Sequence, residues 1–242
     1  RLPNKISILT PRSFCPKCNT HIPFYRNIPI LSFLLQAGKC HQCNNKISIQ
    51  YPIIEIITAF LWFWFLNEST GIYNREIIVN TVFSILMISF LIPLAVIDSK
   101  YLYFPFSLLI PLIIISILKA IIDLIGPNSN INPLLGMVVS FTFLSSIYLI
   151  VKSWFKIKGR TESPMGLGDI LLIIPLGIWL EPLGILLCFF ISSFLVLLIW
   201  IILYLIKKFS FTRKMPFGPY LIISSILIKL FNLTNLISVL IF

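Results

Sequence analysis

Beyond residue 51 the chain alternates long apolar blocks with short polar breaks, and this rhythm sets the expected architecture. The blocks cover approximately 52–66, 77–97, 105–125, 133–151, 169–180, 183–206 and 217–241, with charged or Pro/Asn/Gly-rich breaks between them. Most approach the roughly 20 residues that a helix needs to cross a bilayer core. Seven spans are predicted. Residues 1–50 are polar, basic and cysteine-bearing, with no comparable apolar block. The expected fold class is all-α: a polytopic transmembrane helical bundle over 51–242, preceded by a small cysteine-rich loop domain over 1–50. Gly126-Pro127-Asn128-Ser129-Asn130 reads as a plain turn, because Gly and Asn tolerate unusual backbone angles and Pro ends a helix. Neither an internal repeat nor a low-complexity tract stands out.

The breaks also orient the chain, since basic connecting loops stay in the cytoplasm. Residues 1–50 hold Arg1, Lys5, Arg12, Lys17, Arg26, Lys39 and Lys46 and no acid, which makes this region cytoplasmic. Alternating from there, Lys100, Lys152, Lys156, Lys158, Arg160, Lys207, Lys208, Arg213 and Lys214 face the same side, whereas Arg75 faces out. The formal charge of +11 is then mostly a topology signal. It points to the anionic inner leaflet as a partner and to no nucleic acid. Composition agrees: 58% of the 242 residues are hydrophobic and only 11% charged, and the mean hydropathy of +0.99 excludes an ordinary soluble domain.

Against this background two acids stand out. Asp98 follows the uninterrupted apolar stretch Ile77 to Ile97, and Asp169 follows Gly166-Leu167-Gly168. The topology puts both at the cytoplasmic face, although two spans separate them in sequence. Charges beside hydrocarbon are costly and mark functional sites by default. Taken singly, each also fits a helix-end or capping role. Asp169 opens about twelve apolar residues, roughly 18 Å of helix against a core of about 30 Å. The segment Met165 to Gly168 is therefore expected to enter the membrane as non-helical backbone beside a wet pocket. Two neighbouring carboxylates share a proton, so one activates water while the other donates to a carbonyl oxygen. Gly166 and Gly168 would allow positive φ and let a substrate backbone approach closely.

Cysteines give a separate signal. Cys15-x-x-Cys18 and Cys40-x-x-Cys43 form two pairs on the cytoplasmic loop, a spacing that closes a tetrahedral zinc site. Disulfides are the less favoured fate in a reducing compartment. A site closed by four thiolates leaves no position for reactive water, so the zinc is expected to be structural. His21 and His41 read as surface residues and Cys188 as packing. Lys119 and Asp123 read as a local ion pair. Trp62, Trp64, Trp179 and Trp200 read as lipid-facing or interfacial aromatics.

The ordered set Arg1-Leu2-Pro3, Pro11-Arg12-Ser13-Phe14-Cys15-Pro16-Lys17-Cys18, Asn27-Ile28-Pro29-Ile30-Leu31-Ser32, Tyr51-Pro52-Ile53-Ile54-Glu55, Asp98, Gly166-Leu167-Gly168-Asp169 and Pro216-Phe217-Gly218-Pro219 resembles the prepilin peptidase family. These are the type IV leader peptidases among the Gly-x-Gly-Asp membrane aspartyl proteases. The resemblance implies cleavage of the short basic leader of type IV prepilins and pseudopilins at the inner membrane, with Asp98 and Asp169 as the catalytic pair. It also implies methylation of the new N-terminus from S-adenosylmethionine in many members. Glu55 resembles a glutamate that the family keeps and is a candidate for the methyl-donor site; a carboxylate reaching back to the interface is the plainer reading. Leu171 stands where the family commonly has Lys, and Phe106 where it commonly has an acid. The family carries an apolar helix before Arg-Leu-Pro, so the chain reads as truncated, with an eighth span upstream. Presenilin-type or preflagellin peptidases share the Gly-x-Gly-Asp chemistry, but the cysteine module favours the prepilin type. A non-enzymatic scaffold of a pilus or secretion system, with a zinc-stabilised module, is the competing class.

Overall fold

A computed structural model describes residues 2, 12–68, 75–126, 129–159, 166–206 and 215–236. The chain divides into two compact units, Arg1–Gly71 and Ile72–Phe242.

The first unit is built on two knuckles. In each, a Cys-x-x-Cys turn closes when the residue after the second cysteine donates its N–H back to the carbonyl of the first: Asn19 to Cys15 and Asn44 to Cys40, both at 2.9 Å. Asn19 and Asn44 have φ of 56° and 53°, the left-handed conformation that Asn tolerates better than most residues. Flanking bonds match as well. Cys15 N–H to Thr20 O is mirrored by Cys40 N–H to Asn45 O, and Ile22 N–H to Ser13 O by Ile47 N–H to Gly38 O. The bridges Phe14 with His21 and Lys39 with Lys46 complete the parallel. Each pair is offset by 25 residues, so the unit contains a local repeat where none was expected from the sequence. Between the knuckles lie a 3-10 turn, Phe24–Arg26, and a short helix α1, Leu31–Leu35. After the second knuckle comes α2, Gln50–Glu68, with Pro52 in its first turn, where the missing N–H costs nothing.

The second unit is a bundle of α3 (Arg75–Tyr101), α4 (Phe106–Ile125), α5 (Asn132–Ile157), α6 (Leu167–Leu205) and α7 (Gly218–Leu230). Of these, α3 to α6 are each long and apolar enough to cross a membrane. The central element is α6, which packs against α4, α5 and α7 and buries Leu172, Ile173, Leu176 and Leu180 completely or nearly so.

The two apolar runs expected at 169–180 and 183–206 form a single element, broken at Glu181. Contacts on either side show what the break does. Gly136 on α5 lies against Gly177 and Glu181, whereas Ser140, one turn further on, donates its hydroxyl to Ile173 O at 3.2 Å. The first limb of α6 is thus antiparallel to α5. Beyond the break, Gly184 lies against Ile228 and Cys188 Sγ donates to Leu221 O at 3.4 Å, so the second limb is antiparallel to α7. Phe143 on α5 also packs on Phe189 at 5.0 Å between ring centres, so the second limb runs parallel to α5 and the chain reverses at Glu181, as two separate spans require. Glu181 has φ 61° and ψ 176°, a region nearly confined to glycine, at a cost of order 1–3 kcal/mol.

Tight backbone approach fixes the first limb against α5. A Cβ on Gly177 would lie 2.6 Å from Gly136 O, and one on Gly136 would lie 2.9 Å from Glu181 Cα. Small residues at such a seam let helices meet closely where lipid provides no hydrophobic drive. Trp179 departs from its lipid-facing expectation: it is only 3% exposed and donates its indole N–H to Ser84 at 3.2 Å. Trp62 and Trp64 are exposed. Lys119 and Asp123 form the expected pair, with the ammonium 5.8 Å from the Phe83 ring centre. The turn at 126–130 is present, with Ser129 N–H bonded to Gly126 O and Asn130 N–H to Asp123 O; Pro127 and Asn128 lie outside the described residues.

Candidate active site and metal centre

Asp98 lies in the last turn of α3 and Asp169 in the first turn of α6. Both are held by helix N-termini, whose first N–H groups lack intrahelical partners and carry the positive end of the helix dipole. For Asp169 the helix is its own. Gly166 is the N-cap, in extended conformation, and the carboxylate reaches back toward the Gly166 N–H as the third residue of a capping box does. For Asp98 the helix is α7, with the N–H of Gly218 facing its carboxylate. Pro219 follows directly and has no N–H to offer.

These contacts bring the two acids to one end of the bundle. Asp98 Oδ2 lies 2.7 Å from the Cβ position that Gly218 leaves empty, and Asp169 Oδ2 lies 3.4 Å from the corresponding position on Gly166. The carboxylates are close enough to feel each other's charge. Phe104 joins the two sides: its ring packs on Gly168, where a Cβ would come within 2.7 Å of Cδ2, and on Gly218 as well. Asp98 is 5% exposed, and its Oδ2 is buried without a hydrogen-bond partner among the described residues. Asp169 is half-buried beside exposed Gly166 and Leu167.

The glycines work differently from the sequence expectation. Gly166 has φ −71°, and Gly168 is not among the residues with positive φ. Leu167 and Gly168 are already helical, not loop backbone as anticipated; Met165 lies outside the described residues. What Gly168 and Gly218 allow is the close seat of Phe104. Nothing in the sequence marks Phe104, and Gly218 stands out only as part of the Pro216-Phe217-Gly218-Pro219 string. The signal available for Gly218 was the Pro-Phe-Gly-Pro string, in which the one free glycine N–H opens a helix.

The second candidate centre is the cysteine cluster. The four Sγ atoms of Cys15, Cys18, Cys40 and Cys43 all lie within 4.8 Å of one another, with Cys15 and Cys43 3.9 Å apart. A tetrahedral ion with bonds of about 2.3 Å requires sulfur separations of about 3.8 Å, so the donor set fits a metal ion. The local field favours thiolate at two positions. The Thr20 side chain, with help from its backbone, lowers the Cys18 thiol to about 6. The backbone N–H groups of Cys43 and Gln42 lower Cys40. At Cys43 the Asn45 N–H pulls downward, but burial and the neighbouring Cys18, Cys40 and Cys15 push the net value up to about 11. Four adjacent thiols ionise together only when a cation compensates them. Neither His21 nor His41 belongs to the cluster. Cys188 is fully buried in α6, as expected of a packing residue.

Glu55, on α2, accepts a hydrogen bond from the backbone N–H of Ile30 at 2.7 Å. Ile30 has φ 60° and ψ −53°, and Leu31 N–H bonds to Pro29 O at 2.5 Å. This is a γ-turn of the rare, strained kind, here centred on a β-branched residue.

Comparison with known proteins decides the relationship. Residues 1–68 match the bacterial peptidase A24 N-terminal domain, and residues 85–201 match the type IV leader peptidase family. The chain belongs to the type IV leader peptidase family. Similar proteins include the prepilin leader peptidase/N-methyltransferase of Bacillus subtilis (strain 168), 33% identical with 96% of this chain and 86% of that protein covered. The protein of the same name from Neisseria gonorrhoeae is 32% identical, covering 90% and 70%, and that from Legionella pneumophila is 29% identical, covering 92% and 73%. No solved structure gives a significant match. Membership of this leader peptidase family makes the chain an enzyme of the bacterial inner membrane and sets the scaffold alternative aside. Both proposed acids and the Gly-Leu-Gly-Asp string fall within the matched peptidase region, and the four cysteines fall within the matched N-terminal domain.

Proposed function

We propose that this leader peptidase cleaves the basic leader of a type IV prepilin or pseudopilin, using Asp98 and Asp169 as an aspartyl pair. The observation that carries the assignment is the arrival of two carboxylates, from α3 and α6, at one end of the bundle, close enough to feel each other's charge. One carboxylate takes a proton from water, and the resulting hydroxide adds to the scissile carbonyl. The other, protonated, donates to the carbonyl oxygen. Collapse of the tetrahedral adduct then passes a proton to the departing amine. The helix N-termini behind each acid hold the charge of whichever is ionised. Gly166 adds no side chain of its own beside Asp169 Oδ2.

Cys15, Cys18, Cys40 and Cys43 would hold structural zinc, stapling a loop region of which few side chains are buried. The basic residues of this region favour the anionic inner leaflet as neighbour. For the methyltransferase activity carried in the relatives' names, S-adenosylmethionine would supply the methyl group. Glu55 contributes to that site by fixing the Pro29-Ile30-Leu31 turn. The test is prepilin cleavage in membranes by the full chain and by Asp98→Asn and Asp169→Asn. Each variant should lose activity by about 10³-fold, within the range for positioned acid–base groups. Normal cleavage by either one defeats the assignment.

A further inference from the structure

We propose that Phe104 gates the cleavage cleft, its ring occupying the space beside Asp98 that water and the substrate main chain must enter. The proposal rests on the aspartyl-pair reading. It starts from the orphaned Asp98 Oδ2, which is buried without a partner among the described residues. A carboxylate acting on water or a carbonyl needs a heavy atom at about 2.6–3.2 Å. Here the empty Cβ position of Gly218 lies 2.7 Å from Asp98 Oδ2 and closer still to Phe104 Cζ, so the ring and the carboxylate oxygen are neighbours. The buried oxygen thus has the start of α7 and the phenyl ring as its neighbours.

Of these two neighbours, the ring is the one placed to move. Gly218 opens α7 and is buried, whereas Phe104 sits on the short link between α3 and α4. Tyr101, Leu102 and Tyr103 before it are exposed, while Phe104 is tucked in at 6%. Leu102 has φ 57°, a strained setting for a branched side chain and one that a new conformation would relieve. The groove the ring would vacate runs between Gly168 and Gly218, two positions without side chains. Such a floor admits an extended peptide main chain close to both carboxylates. Phe104 thus governs access and sets the aperture. The described state is closed, and apparent substrate affinity scales with the fraction of time the ring is displaced.

The test reads access to the acids independently of cleavage. The full chain in membranes is treated with a water-soluble carbodiimide and glycine ethyl ester, and adducts on Asp98 and Asp169 are quantified by peptide mass spectrometry. Relative to Asp169, modification of Asp98 should rise about tenfold in Phe104→Ala, rise less in Phe104→Leu and fall in Phe104→Trp. KM for prepilin should fall as the ring shrinks, without a rise in kcat. If the alanine variant does not fold, the ordering of leucine, wild type and tryptophan decides. An unchanged Asp98 to Asp169 ratio across folded variants overturns the gate. Should Asp98→Asn cleave normally, the peptidase assignment fails on its own and the labelling result still stands.

Discussion

The Glu55 carboxylate holds the N–H of Ile30 at 2.7 Å, across 25 residues of sequence. It thereby pins a strained turn that opens α1 to the helix that follows the second knuckle. Losing this bond would cost of order 1 kcal/mol, since the Ile30 N–H is only part-buried. Glu55→Ala should make the segment around residues 24–36 several-fold more sensitive to limited proteolysis, while Glu55→Gln, which keeps an acceptor oxygen, should not. If methyl transfer falls in both variants but protease resistance falls only in the alanine one, the charge itself serves the donor site.

Gly218→Ala should abolish most cleavage, because the new methyl group would meet Asp98 Oδ2 at 2.7 Å and the Phe104 ring as well. Residues in mutual contact do not behave additively. Adding Phe104→Leu should restore part of the lost activity, and a double-mutant cycle on kcat/KM checks it. Strict additivity would mean that the ring and the glycine do not share the space.

Cys15→Ser with Cys18→Ser removes half of the donor set from the cluster. Bound zinc, measured by elemental analysis of the purified protein, should drop from about one equivalent to near zero, since four ligands are needed for the structural site. Folding yield or cleavage should fall with it. Retention of the metal would refute the four-cysteine assignment.

Gly177→Leu forces a side chain into the carbonyl of Gly136, where even a Cβ would be 2.6 Å away. Overpacking of a well-filled seam typically costs about 1–3 kcal/mol, and backbone collisions cost more. The variant should lower the thermal midpoint in detergent and reduce cleavage, even though residue 177 lies about two helical turns from Asp169.

Lys119 and Asp123 share a short ion pair, with the lysine side chain 9% exposed. Breaking a buried pair from one side strands the other charge, at about 3–5 kcal/mol, whereas an apolar replacement of both is often near neutral. Lys119→Met should destabilise the bundle strongly, and Lys119→Met with Asp123→Leu should recover most of the loss. Thermal unfolding of the three proteins distinguishes these outcomes.

Much of this was legible in the sequence, because membrane spans are written in long uniform blocks. The runs at 77–97, 105–125 and 133–151 became α3, α4 and α5 with modest shifts at their ends. The reversal at Glu181 was foreseeable from the charge and Pro182, but its backbone conformation was not. Asp98 and Asp169 were visible as charges in apolar surroundings. Phe104 was hidden because one phenylalanine among 21 carries no mark of its role; only the two glycines against which it rests reveal it. Trp179 was misjudged for a related reason. Aromatic residues in an oily chain look alike until a partner such as Ser84 is placed opposite the indole. The matched knuckles escaped notice because their equivalence lies in backbone hydrogen bonds, while their side chains agree at few positions beyond Cys-x-x-Cys-Asn.

The leading limb of α6 runs from Leu167 only to the bend at Glu181, roughly 21 Å of helix. A bilayer core is about 30 Å thick, so with the acid at one surface the bend stops short of the other by roughly a third of the thickness. At that end a cavity of about 1020 Å³, bordered by Arg75, Glu76, Asp123, Glu181 and Lys229, offers charged walls that water can wet. A span this short is accommodated by water reaching the bend or by local thinning of the bilayer.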